Sequence, residues 1–378
     1  GDFSAVTFAD GTTADEVGKE YAEVVDGLGD LTPSVTADTI ETDGSAAAEL
    51  TWTWPVGGRE WTYTTDADLS EVGDTWQVTW DRALVEPSLG SKEVLDATTI
   101  AARRGEIWGP GRQGLVIDRP VLRFGIDKTL VPKARAGDSA RRLAQLVGVD
   151  APSYVKQVEA AGDAAFVEAI VYRSEDVPEQ AQAGYEAIDG ARAIPDEIPL
   201  GPSREFAAPI LGTVGPVTAE MVKKDPEDYQ PGDVAGLSGL QARYDDQLQG
   251  TDGVVVTANG PKDRERRLFR VPATAGDPLR ITLDERLQTL AESRLADVGP
   301  ASALVAIRPS TGAIVAAANG PGNDGYNMAT YGRFAPGSTF KIVTGTTALT
   351  EGVVTPDEQI FDSGHHWIIP KGNADGEA

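Results

Sequence analysis

Phe334-Ala335-Pro336-Gly337-Ser338-Thr339-Phe340-Lys341 runs directly into the apolar and small residues Ile342 to Thr350. Pro336-Gly337 breaks whatever precedes it and lets a helix begin at or just before Ser338. A serine in the first turn of a helix sits at the positive end of the helix dipole, which favours a developing alkoxide or oxyanion. Lys341 follows three residues later, so its side chain returns to the same face. An ammonium is no base, so the lysine has to be desolvated enough to lose its proton. Phe340, Ile342 and Val343 predict a buried helix that would do this. Serine beside neutral lysine is an activated-nucleophile arrangement, with Ser338 as nucleophile and Lys341 as general base.

Composition narrows the alternatives. The chain has no cysteine, which removes disulfides, thiol catalysis and cysteine-ligated zinc. Its two histidines are the neighbours His365 and His366, read as loop residues rather than metal ligands, so neither a metal nor any other cofactor is expected. A formal net charge of −26 repels phosphate backbones and argues against nucleic acid as a partner. No apolar run is long enough to span a membrane, and the start at Gly1-Asp2-Phe3 reads as that of a mature or trimmed product.

Ser-x-x-Lys spacing alone is weak, because Ser153-Tyr154-Val155-Lys156 repeats it. That second pair lies on an amphipathic, surface-like helix, where Ser153 is an ordinary helix-start residue and Lys156 is solvated. Ser338 differs in its setting. Ser302 to Ile307 and Ala313 to Ala318 are apolar strands joined by Pro309-Ser310-Thr311-Gly312, a hairpin signal. Before them, Arg280 to Asp284 reads as a short strand ending in the cap of a helix from Glu285 to Ala296.

Further upstream the texture changes twice. Residues 1–93 read as a small α+β unit. A helix opens at Thr12-Thr13-Ala14-Asp15-Glu16 and runs through Val25. Period-two strands follow, carrying Trp52, Trp54, Trp61, Trp76 and Trp80, with a turn at Gly73-Asp74. Such an aromatic stripe is read as core under a helix, with a ligand cavity as the alternative. Residues 94–276 hold a glycine-rich turn region from Arg104 to Gly114 and helices at Ser139 to Val147, Pro152 to Ala161 and Asp163 to Tyr172. A proline-rich extended passage spans Pro195 to Pro202, and a helix from Ala235 to Leu248 stops at Gly250. No glycine-rich loop is followed by Lys-Ser/Thr at P-loop spacing, so no nucleotide site is expected.

In that order the segments resemble a class B penicillin-binding protein. Ser302 to Pro309, Thr311 to Ala316 and Pro336 to Lys341 resemble the opening of a transpeptidase domain of the penicillin-binding and serine β-lactamase-like α/β type, here residues 277–378. Arg104-Gly105-Glu106-Ile107 and Gly236-Leu237-Ser238-Gly239-Leu240-Gln241, with Tyr244-Asp245, Leu248 and Gly250, resemble the pedestal, or dimerisation-type, domain (94–276). Trp76 to Trp80 with Pro87-Ser88-Leu89 is similar to the nuclear transport factor 2-like domain of the low-affinity, resistance-type branch (1–93). The fold class is thus a multidomain α+β chain.

The resemblance implies a peptidoglycan D,D-transpeptidase acting through a serine acyl-enzyme. Its substrate would be a stem peptide ending in D-Ala-D-Ala, its covalent inhibitors β-lactam antibiotics, and its partners cell-division or elongation proteins. It would work at the outer face of the bacterial cytoplasmic membrane, with its anchor outside this chain. The sequence departs from the pattern at Gly109 to Gly114, where Asp-Arg-Asn-Gly is usual, and at Gln241, where Glu is commoner. The family's Ser-x-Asn and Lys-Thr/Ser-Gly motifs do not occur after Lys341. The transpeptidase domain is therefore expected to be incomplete here and the chain alone to be inactive. A non-catalytic cell-wall scaffold, a class D-like β-lactamase and a β-lactam sensor are the alternatives.

Overall fold

Thr13 and Glu16 close a capping box at the start of the helix Ala14–Val25. The Glu16 N–H donates to Thr13 Oγ1 at 3.3 Å, and the Thr13 N–H donates to Glu16 Oε2 at 2.9 Å. This helix opens a computed structural model that describes residues 3–42, 45–73, 75–226, 229–261 and 264–357. The chain divides between Ala329 and Thr330 into two compact units.

In the first unit the alternating segment forms a four-stranded antiparallel sheet of Ser34–Thr42, Ser45–Val56, Arg59–Val72 and Thr75–Val78, paired in sequence order. Gly57 and Gly58 join the central strands with φ of +55° and +72°, the left-handed pair that a two-residue hairpin requires. Trp52, Trp54 and Trp61 share the buried face with Val24 and Leu28, so the stripe is core under the helix as expected. Trp54 is fully buried, and its indole N–H donates to the Tyr63 hydroxyl at 2.9 Å. Trp76 is only half-buried, and Trp80 lies past the end of its strand. Of the turn expected at Gly73-Asp74, Asp74 lies outside the described residues. The same core continues into Leu95, Val256, Ala258 and Val271 of a three-stranded antiparallel sheet, Val94–Ile100, Gly253–Gly260 and Arg264–Val271.

A five-stranded sheet follows, organised on the long strand Gly114–Asp127. One flank carries Ala191–Leu200, which contains most of the expected extended passage. The other flank carries Phe166–Arg173, and here the sequence reading is corrected: Asp163 to Tyr172 is not a helix. Phe166, Val167, Ile170, Val171 and Tyr172 are β-branched or aromatic, and the open edge of the long strand supplies their backbone partners. Helices Lys133–Val147 and Ala151–Ala160 cover this sheet through Leu143, Ala144, Tyr154 and Val158 against Phe124 and Ile126. Gly148, at φ +75°, ends the first helix, and the Asp150 carboxylate caps the second.

The helix expected from Ala235 to Leu248 is two short helices, Gly239–Arg243 and Asp245–Leu248, broken at Tyr244. Asp245 accounts for the break. Its carboxylate takes the Gly236 N–H at 2.7 Å, the Tyr229 hydroxyl at 2.7 Å and the Arg104 guanidinium at 2.6 Å. Arg104 also donates to the side-chain and backbone oxygens of Gln241. Arg104 and Asp245 are 7% and 5% exposed, so a buried ion pair ties the segment between strands Val94–Ile100 and Ile107–Trp108 to a turn far along the chain.

Toward the end of this unit only Leu279–Arg280 of the expected strand is a strand, pairing in parallel with Ile107–Trp108. Asp284 caps the helix Glu285–Leu295 as expected. The helix lays Ala291 and Leu295 on Ala316 and Ala318 of the antiparallel hairpin Ala303–Arg308 and Ala313–Asn319.

Candidate active site

In the second unit Pro336 has helical angles and Gly337 turns to φ +51°, a value that glycine reaches without the Cβ penalty other residues meet. A 3₁₀ turn, Gly337–Phe340, comes first, and the α-helix proper is Lys341–Thr350. The Lys341 N–H donates to the Ser338 carbonyl, so the two residues stand one 3₁₀ turn apart. Residues i and i+3 eclipse in that geometry, which sets both side chains on one side of the turn. No hydrogen bond joins the two side chains among the described residues.

The burial expected of this helix is not found. Ile342 is 74% exposed, Phe340 and Val343 are 52% exposed, and Lys341–Thr350 holds no buried residue. Its sequence has apolar groups on every side, and within its own unit no described element covers them. The threonines hide their polar atoms. Hydroxyls of Thr344, Thr346 and Thr347 donate to the carbonyls of Lys341, Ile342 and Val343 at 3.1, 2.8 and 3.0 Å. Hydroxyls bonded back to their own helix leave a surface chemically suited to burial against apolar neighbours.

Ser153 and Lys156 are exposed on a helix that turns Tyr154 and Val158 inward, as expected of a surface pair. His365 and His366 lie outside the described residues. The motif reading passed over Gln288 and Glu292. Gln288 is fully buried; its side chain accepts the Ala317 N–H at 2.7 Å and donates to the Ala317 carbonyl at 3.2 Å. Glu292 Oε1 accepts from Gln288 Nε2 and from the Ala207 N–H, each at 2.7 Å. Burial raises the Glu292 pKa above the ordinary carboxylate value, against the opposing pull of the Ala207 N–H. The available signal was a polar i, i+4 pair on the face that also presents Ala291 and Leu295.

Three family models match the chain in order. They are the NTF2-like N-terminal transpeptidase domain over residues 5–93, the penicillin-binding protein dimerisation domain over 99–281, and the penicillin-binding protein transpeptidase domain over 302–373. The last match spans both Ser338 and Lys341. The chain belongs to the penicillin-binding proteins. Its domain series is consistent with class B of that family.

Among curated relatives it is 24% identical to penicillin-binding protein 3 of Bacillus subtilis, over 78% of this chain and 47% of the relative. It is 30% identical to the peptidoglycan D,D-transpeptidase MrdA of Haemophilus influenzae, over 44% of this chain and 30% of the relative. Stage V sporulation protein D of Bacillus subtilis is 32% identical over 35% of this chain and 24% of its own length. The chain thus spans about half the length of the first of these and less of the others. None of the helices among the described residues is long and apolar enough to cross a membrane.

Proposed function

We propose that this chain supplies the nucleophile-bearing part of a peptidoglycan D,D-transpeptidase working outside the cytoplasmic membrane. The reading rests on one observation: a transpeptidase-family match that takes in a glycine-initiated 3₁₀ turn with Ser338 and Lys341 on one side. Ser338 Oγ attacks the carbonyl of the penultimate D-Ala of a stem peptide, and Lys341 accepts the hydroxyl proton. The Ser338 N–H helps hold the oxyanion as the carbonyl becomes tetrahedral. Collapse of that intermediate expels the terminal D-Ala, whose amine takes up the proton. An amine from a neighbouring stem then attacks the acyl-serine ester, forms the cross-link and returns the serine. A β-lactam acylates the same oxygen and stalls there because its opened ring stays attached.

The test is covalent labelling by a fluorescent penicillin of the complete protein that contains this chain. Wild type is expected to label and Ser338→Ala to be silent; labelling retained in Ser338→Ala would refute the assignment. The exposed helix favours a second reading for the 378-residue chain alone, that of a scaffold without acylating activity. Among the described residues Phe340, Ile342 and Val343, the expected apolar cover of Lys341, are exposed. Stoichiometric labelling of the isolated chain would sink this second reading, and turnover of a chromogenic cephalosporin would point instead to a β-lactamase.

A further inference from the structure

The buried face of the tryptophan sheet is full at one end and hollow at the other. Where Trp54 opposes Trp61 and Trp52 opposes Tyr63, large rings fill the space under the helix. Further along the same face Ala48 stands directly opposite Ala67, and two methyl groups leave the floor low. The space above them is a cavity of about 200 Å³, with Leu50 and Leu69 beside the alanines and Trp52 and Trp80 in the walls. The N-terminal segment roofs it. That segment is held up by the Val78 N–H, which donates to the Thr7 carbonyl at 3.0 Å. Phe3 meets Tyr21, Phe8 and Trp80 edge-on, with ring centroids 5.5, 6.2 and 6.2 Å apart. Rings propped against one another in this way do not collapse onto the floor.

The two indole N–H groups in the lining already have partners, which leaves the Tyr21 hydroxyl as the remaining polar side-chain group there. The Trp52 indole N–H donates to Thr65 Oγ1 at 3.1 Å, and the Thr65 hydroxyl donates to the Leu84 carbonyl at 2.9 Å. The Trp80 N–H donates to Glu20 Oε2 at 2.9 Å. The lining carries no charged side chain. Water needs polar partners in a cavity and finds few here. A sealed apolar cavity of ~150 Å³ admits benzene, and this hollow of about 200 Å³, open to solvent on the side of the exposed Val6, has room for a group at least as large.

We propose that this cavity binds an uncharged hydrocarbon group of roughly eight to ten carbon atoms, whether a free molecule or the end of a lipid acyl chain. The proposal is independent of acyl transfer at Ser338. It is tested on the 378-residue chain with two probes followed by ligand-observed NMR and by the thermal midpoint. One is n-butylbenzene; the other is decyl phosphocholine, kept below its micelle-forming concentration. Saturable one-to-one binding of n-butylbenzene with a raised midpoint is expected. Competition by the phosphocholine identifies an acyl-chain end as the occupant, and failure to compete identifies a free apolar molecule. Ala67→Leu and Ala48→Leu each fill the floor, and each is expected to weaken binding at least tenfold while far-UV circular dichroism stays native. If either variant does not fold, the other carries the comparison. Xenon-induced shifts of the Ala48 and Ala67 methyl resonances report occupancy without any substitution. No saturable binding of either probe and no xenon shift, or undiminished binding in a folded filled variant, overturns the proposal.

Discussion

Replacing Asp245 with alanine removes one carboxylate and strands two buried donors. The Arg104 guanidinium, 7% exposed, loses its 2.6 Å partner and keeps only the oxygens of Gln241. The Gly236 N–H, donated at 2.7 Å, loses its acceptor altogether. Breaking a buried ion pair from one side costs about 3–5 kcal/mol, and an orphaned buried amide adds to the upper end of that range. We expect about 4 kcal/mol for Asp245→Ala. Arg104→Met should cost about 3 kcal/mol, because the carboxylate it abandons retains Gly236 and the Tyr229 hydroxyl. With both charges removed in Arg104→Met/Asp245→Leu, the desolvation of two ions disappears along with their attraction. The double variant should therefore lose no more than about 3 kcal/mol, leaving a coupling energy of roughly 4 kcal/mol. A multidomain chain does not unfold in one step, so the suitable assay is native-state hydrogen exchange at local amides. The Gly105 N–H, bonded to the Leu248 carbonyl at 2.7 Å, and the Gly236 N–H report directly on this junction. Protection of the Gly105 N–H should fall about a thousandfold in Asp245→Ala and by no more than about 150-fold in the double variant, in which the Gly236 N–H still lacks its acceptor. Additive single effects, or a loss of less than tenfold in Asp245→Ala, would refute a buried pair as the clasp between these segments.

Two further outcomes follow from other residues. Glu292 has a folded pKa raised above its ordinary value near 4.5, so the folded chain holds this proton more tightly than the unfolded one. Its contribution is fully present below the ordinary value and is lost as pH rises through the raised one. Exchange protection of the Ala317 N–H, held by Gln288 beside Glu292, should fall over that window in wild type and flatten in Glu292→Gln, which keeps an acceptor for the Ala207 N–H; an unchanged pH profile would contradict the assignment. Gly337→Ala places a Cβ at φ +51° and should strain the 3₁₀ turn by about 1–2 kcal/mol. In the complete protein, penicillin acylation should slow about tenfold or more with folding intact, and an unaltered rate would show that the turn does not set the geometry at Ser338.

Features that depend on neighbours within a turn or two are legible in the amino-acid order. Thr13 and Glu16 cap their own helix, and Asp284 caps another. The alternation through Trp52 and Trp54 sets a strand, and Pro309 to Gly312 closes a hairpin. Gly337 starts the turn that puts Ser338 and Lys341 on one side. Tertiary structure decided the rest, because the deciding partner is remote in the chain. Phe166–Arg173 is a strand since the Gly114–Asp127 edge offers it hydrogen bonds, whereas its apolar run alone suits a helix equally well. Asp245 breaks its helix in order to meet Arg104, which reaches across 137 residues to Gln241. Opposed alanines at 48 and 67 look innocuous in sequence and become a hollow only when register pairs them under a raised N-terminal segment. Apolar residues on every side of Lys341–Thr350 predict burial, yet burial is a property of two surfaces, and a helix encodes only its own.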